Sequence, residues 1–282
     1  MTELERAFDF LARGDMAGSR REPFRFGTAV FTPERPLRHD SNYLLVESFP
    51  DSLPAAELVA EADRVQGAAG LEHRLLFFRD AALGERLAPQ LVNLGWRLDR
   101  HELMAHRRSS EREVDISIVR ELDEATLRPA REAQIRTYPW GTPEVARQLL
   151  DAKLHIPLEA RFFAVLFGGD VVSYCDLYLD GDVAQVEDVA TLEEHRGQGY
   201  ASALVLRAVE EARAAGATFV FLVADADDWP KELYRRLGFD EIGRYVKLIR
   251  VSAAPRPATD APRGRARTDR PPARRGRARP PS

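Results

Sequence analysis

Two glycines set between a short apolar strand and an amphipathic helix constrain this chain more than any other feature. Val186, Val189 and Ala190 suit a strand, while Ala201, Leu204, Val205, Ala208, Val209 and Ala212 recur on one face of the following helix. Arg207, Glu210, Glu211 and Arg213 fall mostly on its other side. Between strand and helix lies Arg196-Gly197-Gln198-Gly199-Tyr200-Ala201, where the glycines let backbone approach a ligand with no Cβ in the way. A helix opening from such a turn aims unpaired N–H groups and its positive dipole end at one spot, which suits a phosphate. By itself the pattern has two readings: a ligand cradle, or a plain connection between a strand and a helix.

The remaining sequence narrows the setting. The chain has 282 residues, enough for one large domain or two small ones, and its 44% hydrophobic and 30% charged content describes a globular protein. Its apolar runs are too short for a membrane span, and the acidic start Met1-Thr2-Glu3-Leu4-Glu5-Arg6 is unlike a signal peptide. The only cysteine, Cys175, excludes an internal disulfide and offers no thiolate cluster, so no metal site is expected and the expected compartment is cytoplasmic. The net charge of −4 hides an asymmetry. Nine arginines against two aspartates give residues 252–282 a charge of +7, leaving −11 on everything before them. An acidic body argues against nucleic acid as its main ligand and favours a cationic one.

Periodicity yields an α/β chain with a mixed sheet. Leu4, Phe8 and Leu11 predict a short first helix ending near Gly14, and Ser19 to His39 is expected to wrap over a neighbour, with one strand at Gly27 to Phe31. Strands are expected at Tyr43 to Val46, His73 to Phe78 and Trp96 to Arg107, with helices at Pro54 to Val65 and Ala81 to Leu94. After a charged linker from Arg107 to Glu113, strands are expected at Val114 to Val119, Phe162 to Phe167 and Val171 to Leu179. Helices are expected at Glu124 to Ile135 and Glu144 to Leu154. The glycine turn and its helix come next, then a strand at Thr218 to Ala224, a short helix at Trp229 to Leu237 and a strand at Glu241 to Ile249.

Leu94-Gly95-Trp96 and Leu237-Gly238-Phe239 each precede a closing strand, which marks a duplicated unit whose first copy is incomplete. Four segments follow: an N-terminal extension over 1–42, a degenerate half over 43–110, a working half over 111–251 and a Pro/Arg-rich disordered tail over 252–282. The tail reads as a solvated appendage or as a basic arm for anionic surfaces. In the first copy, Ser48-Phe49-Pro50-Asp51-Ser52-Leu53-Pro54 replaces the glycine turn, and its prolines remove N–H donors that a phosphate needs.

Here the chain resembles the GNAT superfamily of N-acetyltransferases. Arg196-Gly197-Gln198-Gly199-Tyr200-Ala201 matches that family's Gln/Arg-x-x-Gly-x-Gly/Ala signature, and Leu233-Tyr234-Arg235-Arg236-Leu237-Gly238-Phe239 matches its Leu-Tyr-x-x-x-Gly-Phe segment. The resemblance covers about Val114 to Val251, with Tyr43 to Arg107 similar to a degenerate second copy, as in tandem GNAT proteins in which one half works. It implies a transferase that moves an acetyl group from acetyl-CoA, its co-substrate, to a primary amine by direct attack in a ternary complex. The acceptor it implies is a small-molecule or protein amine. The alternative is a non-catalytic acyl-CoA-binding module.

The resemblance also assigns residues. Backbone from Arg196, Gly197, Gln198, Gly199, Tyr200, Ala201 and Ser202 would hold the pyrophosphate, and Val189, Ala190 and Thr191 the pantetheine arm. That strand is expected to bulge and to splay from its neighbour, freeing an N–H near Val189 for the thioester carbonyl. Asp227 stands where many members carry an asparagine that contacts the cofactor arm. Tyr234 would act as general acid; otherwise it is a tyrosine packed at a helix end. Glu187 is the chosen general base, set against a carboxylate in a structural ion pair. Tyr138 and Trp140 would line the acceptor pocket, set against ordinary packing. Cys175 reads as buried filler.

Overall fold

The computed structural model describes residues 1–14 and 18–251. The tail expected at 252–282 lies outside the described residues. The strands are β1 (Arg20–Phe24), β2 (Gly27–Phe31), β3 (Tyr43–Val46), β4 (His73–Phe78), β5 (Arg97–His106), β6 (Val119–Leu122), β7 (Glu159–Phe167), β8 (Asp170–Asp180), β9 (Val183–Thr191), β10 (Phe219–Asp225) and β11 (Phe239–Val251). The α-helices are α1 (Glu3–Gly14), α2 (Ala55–Ala68), α3 (Ala81–Asn93), α4 (Glu124–Arg136), α5 (Pro143–Lys153), α6 (Tyr200–Ala214) and α7 (Pro230–Arg236).

Among the described residues, all eleven strands join one sheet in the order β1-β2-β3-β4-β11-β5-β10-β9-β8-β7-β6. Of these neighbours, only β3–β4 and β9–β10 pair in parallel. About the central β11–β5 pair the order is symmetric for the two nearest strands on each side, with four strands on the β11 side and five on the β5 side. β3-α2-β4-α3-β5 in the first copy corresponds to β9-α6-β10-α7-β11 in the second. The copies exchange their closing strands: β11 lies against β4, and β5 lies against β10. Each half therefore completes the sheet of the other, along a β5–β11 ladder running from His106–Phe239 to Arg97–Ile249.

Hydrophobic alternation sorts the helices onto two faces. α6 and α7 pack on Phe163, Cys175, Leu177, Val186 and Leu222, and α2 and α3 cover Leu44, Leu76, Val246 and Leu248. α1 covers the opposite face through Phe8 and Phe10 against Phe77, Tyr178, Phe221 and Tyr245. α4 packs Leu127 on Phe162 and Tyr174 of that same face.

Two expectations are corrected. Val114 to Val119 is not a strand; β6 begins at Val119. The Asp115 carboxylate accepts from the Ser117 N–H (2.9 Å) and hydroxyl (2.6 Å), and this local turn competes with extended pairing. The segment from Ser19 to His39 does not merely wrap over a neighbour. It contributes the β1–β2 hairpin, and Phe26, Ala29 and Phe31 enter the core. Arg20, Arg21 and Pro23 sit on an edge strand with solvent on one side, which masks the alternation. The helices and the other strands fall within a few residues of the expected limits.

Candidate functional site

The site is built where β9 leaves the sheet. β9 and β10 pair only from Val183–Phe219 to Val186–Leu222, although both strands continue beyond. On its other edge, β9 matches Glu187 to Asp176 and then Ala190 to Tyr174, so one extra residue is accommodated. That is the expected bulge, and Asp188 within it has a left-handed backbone with φ of 52°. Neither Asp188 nor Val189 has a partner in the two flanking ladders. The extra residue also resets the alternation. Val186 and Val189 both pack towards α6, while Ala190 packs against the Phe162–Tyr174 cluster on the opposite face.

Beyond β9 the chain turns through Gly197 (φ 78°) and Gly199 (φ 83°), and α6 starts with Gly199 as its N-cap. Non-glycine residues pay for such a conformation. No side chain among the described residues caps this helix, and its first turn carries no acidic residue, so the leading N–H groups face open space. A Cβ at either glycine would meet nothing within 4 Å. The first copy differs at the matching place. There the Ala55 N–H is taken by Gln90 Oε1 (3.2 Å), and Arg86 binds the Phe49 carbonyl (3.0 Å).

The glycine turn opens onto a cavity of about 850 Å³. Val189, Ala190, Thr191, Arg196, Gly197, Gln198, Gly199, Tyr200, Ala201, Ser202, Tyr138 and Tyr234 all line it. The geometry thus gathers residues separated by about a third of the chain. Arg196 additionally donates to the Thr191 carbonyl (3.3 Å), tying the loop back to β9. The donor set fits a diphosphate: open helix N–H groups, with Arg112, His195 and Arg196 beside them.

Three expected residues lie off the cavity wall. Trp140 stacks on Tyr138 with ring centres 4.9 Å apart, but only Tyr138 lines the cavity. Asp227 pairs with Arg100 (3.4 Å), while its neighbours Asp228, Trp229 and Pro230 line the wall. Glu187 lies on the sheet face of α4 and α5. Glu187 is solvent-exposed, yet protein atoms crowd its carboxyl, and with Asp176 and Asp188 nearby its pKa is pushed up to about 7, despite opposing Lys153.

Tyr234 enters from α7 and is 9% exposed. Burial, reinforced by the Cys175 thiol, pushes its phenol up to about 12. Cys175 itself is buried, its thiol driven well above the usual range by desolvation, which leaves it inert as a nucleophile. α7 is braced by the first copy, because Arg235 Nη2 meets the fully buried Glu102 of β5 at 2.6 Å.

Sequence reasoning missed two parts of the site. The linker segment Arg112 to Asp115 forms part of the wall, because the Glu111 N–H is held by the Arg236 carbonyl (2.9 Å) at the end of α7. No periodicity marks such a segment. The second part is a charged cluster behind the bulge. Arg131 and Asp176 are 1% and 0% exposed and paired, and Lys153 Nζ lies 2.5 Å from Asp176 and 3.0 Å from Asp188. Burial alone would favour a neutral Lys153, but Asp176 and Asp188 outweigh it and hold the amine well above its usual pKa. Glu124, close behind Arg131, is raised by burial.

The family model described as acetyltransferase (GNAT) family matches residues 125–239. No curated protein matches the sequence. Among solved structures, the chain is similar to a functionally unknown conserved protein from Staphylococcus epidermidis, with a TM-score of 0.66 and 16% identity over 84% of this chain and 95% of that one. It is also similar to a GCN5-related N-acetyltransferase from Kribbella flavida, with a TM-score of 0.57 and 20% identity over 86% and 93% of the two chains. A tandem GNAT protein from the clavulanic acid biosynthesis pathway gives 0.51 and 13% identity over 81% and 79%. At these identities the likenesses concern the fold. Residues 125–239 therefore form a domain of the acetyltransferase (GNAT) family, within a mixed α/β fold shared with a tandem protein of that family.

Proposed function

We propose that this protein transfers an acetyl group from acetyl-CoA to a primary amine in a ternary complex, using its second copy alone. The observation that carries this reading is one cavity joining an uncapped helix start, a bulged strand splayed from its neighbour and Tyr234. When bound, acetyl-CoA supplies an activated acetyl thioester. The N–H groups that open α6 hold the diphosphate, with Arg196 beside them. The N–H of Val189, a residue with no partner in either flanking ladder, donates to the thioester oxygen, which lowers the cost of negative charge there. Glu187 takes the proton from the attacking amine through the opening between β9 and β10. The acidic body draws cationic amines to it. A reaction fed by the intracellular acetyl-CoA pool belongs in the cytoplasm.

The first test is calorimetric titration with acetyl-CoA, followed by a panel of primary amines scored by released CoA thiol. Turnover on at least one amine is expected. Binding without turnover on any amine favours a non-catalytic acyl-CoA-binding module, a reading consistent with the engagement of Asp227 by Arg100.

Tyr234 is better placed to donate a hydrogen bond than to give up its proton outright. A phenol raised to about 12 is a weaker acid than a thiol of about 8.5. Its bond to sulfur strengthens as charge develops there. Tyr234→Phe is expected to lower kcat about tenfold, the value of a modest charge-assisted hydrogen bond, with acetyl-CoA affinity unchanged. A kcat equal to wild type removes Tyr234 from the chemistry.

Glu187 sets the pH dependence. Its carboxyl is protonated below about 7 and accepts a proton only above it, so kcat rises with pH through about 7. Glu187→Gln is expected to lower the rate and to flatten that limb. A rising limb that survives unchanged in the variant assigns the base to another group.

A further inference from the structure

The bulge in β9 contains a residue that ought not to favour its own backbone. Asp188 sits at φ 52°, a region where side chains other than glycine are costly, and nothing in the two flanking ladders holds it. Its carboxylate, though, is gripped from the side of α4 and α5. Asp188 Oδ2 is 3.0 Å from Lys153 Nζ and 3.3 Å from Arg131 Nη1.

Those two cations are themselves fixed. Asp176, with no exposure, pairs with both and accepts from the Tyr178 hydroxyl at 2.9 Å. The Arg131 guanidinium lies between the rings of Phe162 (5.2 Å) and Tyr174 (5.0 Å), which sets its plane. Asp176 is also the residue of β8 paired with Glu187, one step before the register breaks. The anchor therefore stands directly behind the bulge, and α4 and α5 supply its arms.

We propose that Arg131 and Lys153 are positioning residues: by holding Asp188 they lock the β9 bulge, which keeps the Val189 N–H turned out of the sheet and available to a thioester oxygen. This rests on the acetyl-transfer reading above and adds the part of the chain that presents the donor. Neither cation lines the cavity, and because Lys153 also lies near Glu187 the lock is read at the thioester carbonyl rather than at the base. The lock also links the two helices that precede β7 to the reacting end of the slot.

Two substitutions separate the lock from the backbone preference. Asp188→Gly accepts φ 52° without strain but has no carboxylate to hold. Asp188→Asn tolerates the left-handed region and keeps an oxygen that Lys153 and Arg131 can donate to. The readout is the carbonyl stretch of carbonyl-¹³C-labelled acetyl-CoA bound to the protein, measured by isotope-edited infrared spectroscopy. Wild type and Asp188→Asn are expected to shift the band to lower wavenumber than free acetyl-CoA, and Asp188→Gly to return it towards the free value.

In parallel, kcat in Asp188→Gly is expected to fall roughly a hundredfold, the usual loss of one oxyanion donor, and by clearly less in Asp188→Asn. The Kd for desulfo-CoA, which lacks the thioester, is expected to stay within about threefold in all three proteins, because the glycine turn is untouched. Lys153→Met, which removes one arm of the grip, is expected to move the band in the same direction as Asp188→Gly. An equal band position in wild type and Asp188→Gly overturns the lock while leaving the transfer reading intact. Failure of the wild type to bind acetyl-CoA overturns both.

Discussion

Gly199→Glu is expected to raise the Kd for acetyl-CoA roughly a hundredfold or more, a loss of about 2.7 kcal/mol in binding free energy. Three effects add. The residue stands at φ 83°, where a side chain costs about 1–2 kcal/mol in backbone strain. A carboxylate at the N-cap can accept from the very N–H groups that are open in the native loop. Its negative charge then opposes a diphosphate at the same spot. Folding is expected to survive, because a Cβ at Gly199 meets no atom within 4 Å. Gly199→Ala carries the strain without the charge and is expected to lose about tenfold, within that 1–2 kcal/mol strain range. Calorimetry on the three proteins, with thermal melting as the folding control, checks the series. Equal affinity in wild type and Gly199→Glu removes the glycine turn as the diphosphate site.

Asp176→Ala is expected to cost about 3–5 kcal/mol of folding stability, the usual penalty for removing one partner of a buried ion pair. Asp176 has no exposure and serves Arg131, Lys153 and Tyr178 together. Without it, Lys153 keeps Asp188, Arg131 keeps only its longer contacts to Asp188 and Glu124 (both 3.3 Å), and Arg131 stays over two aromatic rings with little water. Urea unfolding of wild type and variant measures the difference. Glu57→Ala, which removes a half-exposed partner of Arg25, is the control and is expected to cost about 0.5 kcal/mol or less.

The sign of the pH effect follows from the same pair. Burial acts to raise the Asp176 pKa, but Lys153 and Arg131 outweigh it and depress it. Its contribution is therefore present above the ordinary carboxylate pKa and fades as pH falls below it. A loss below about 1 kcal/mol in Asp176→Ala means that the cluster is hydrated rather than buried.

Much of the site is legible in the amino-acid sequence. Gly197 and Gly199 are required by a local conformation, so their identity reports the turn directly, and Tyr234 sits at a fixed distance along the chain from Arg196. The bulge at Val189 follows from the resemblance to the GNAT family, since neither Asp188 nor its neighbours carry a local signature of it. Trp140, Asp227 and Glu187 show the limit of this reasoning. Their sequence positions are near the cavity, but the stacking of Trp140 on Tyr138, the pull of Arg100 on Asp227 and the strand alternation at Glu187 decide where each side chain goes.

From sequence alone came the elements with a short period: helices from apolar spacing, most strands from alternation, the glycine turn from the demand for positive φ, and the division into two related copies. Only the tertiary structure decided that the copies exchange closing strands, that β1 and β2 join the core, and that Arg131, Lys153, Asp176 and Asp188 meet behind the bulge. The reason is physical. Local conformation is set by interactions within a few residues and leaves a readable period, whereas strand order and buried charge pairing depend on contacts between residues far apart in the chain. Asp176 and Arg131 are 45 positions apart, and until α4 lies on β8 nothing in either residue's neighbourhood distinguishes a buried partner from a solvated charge.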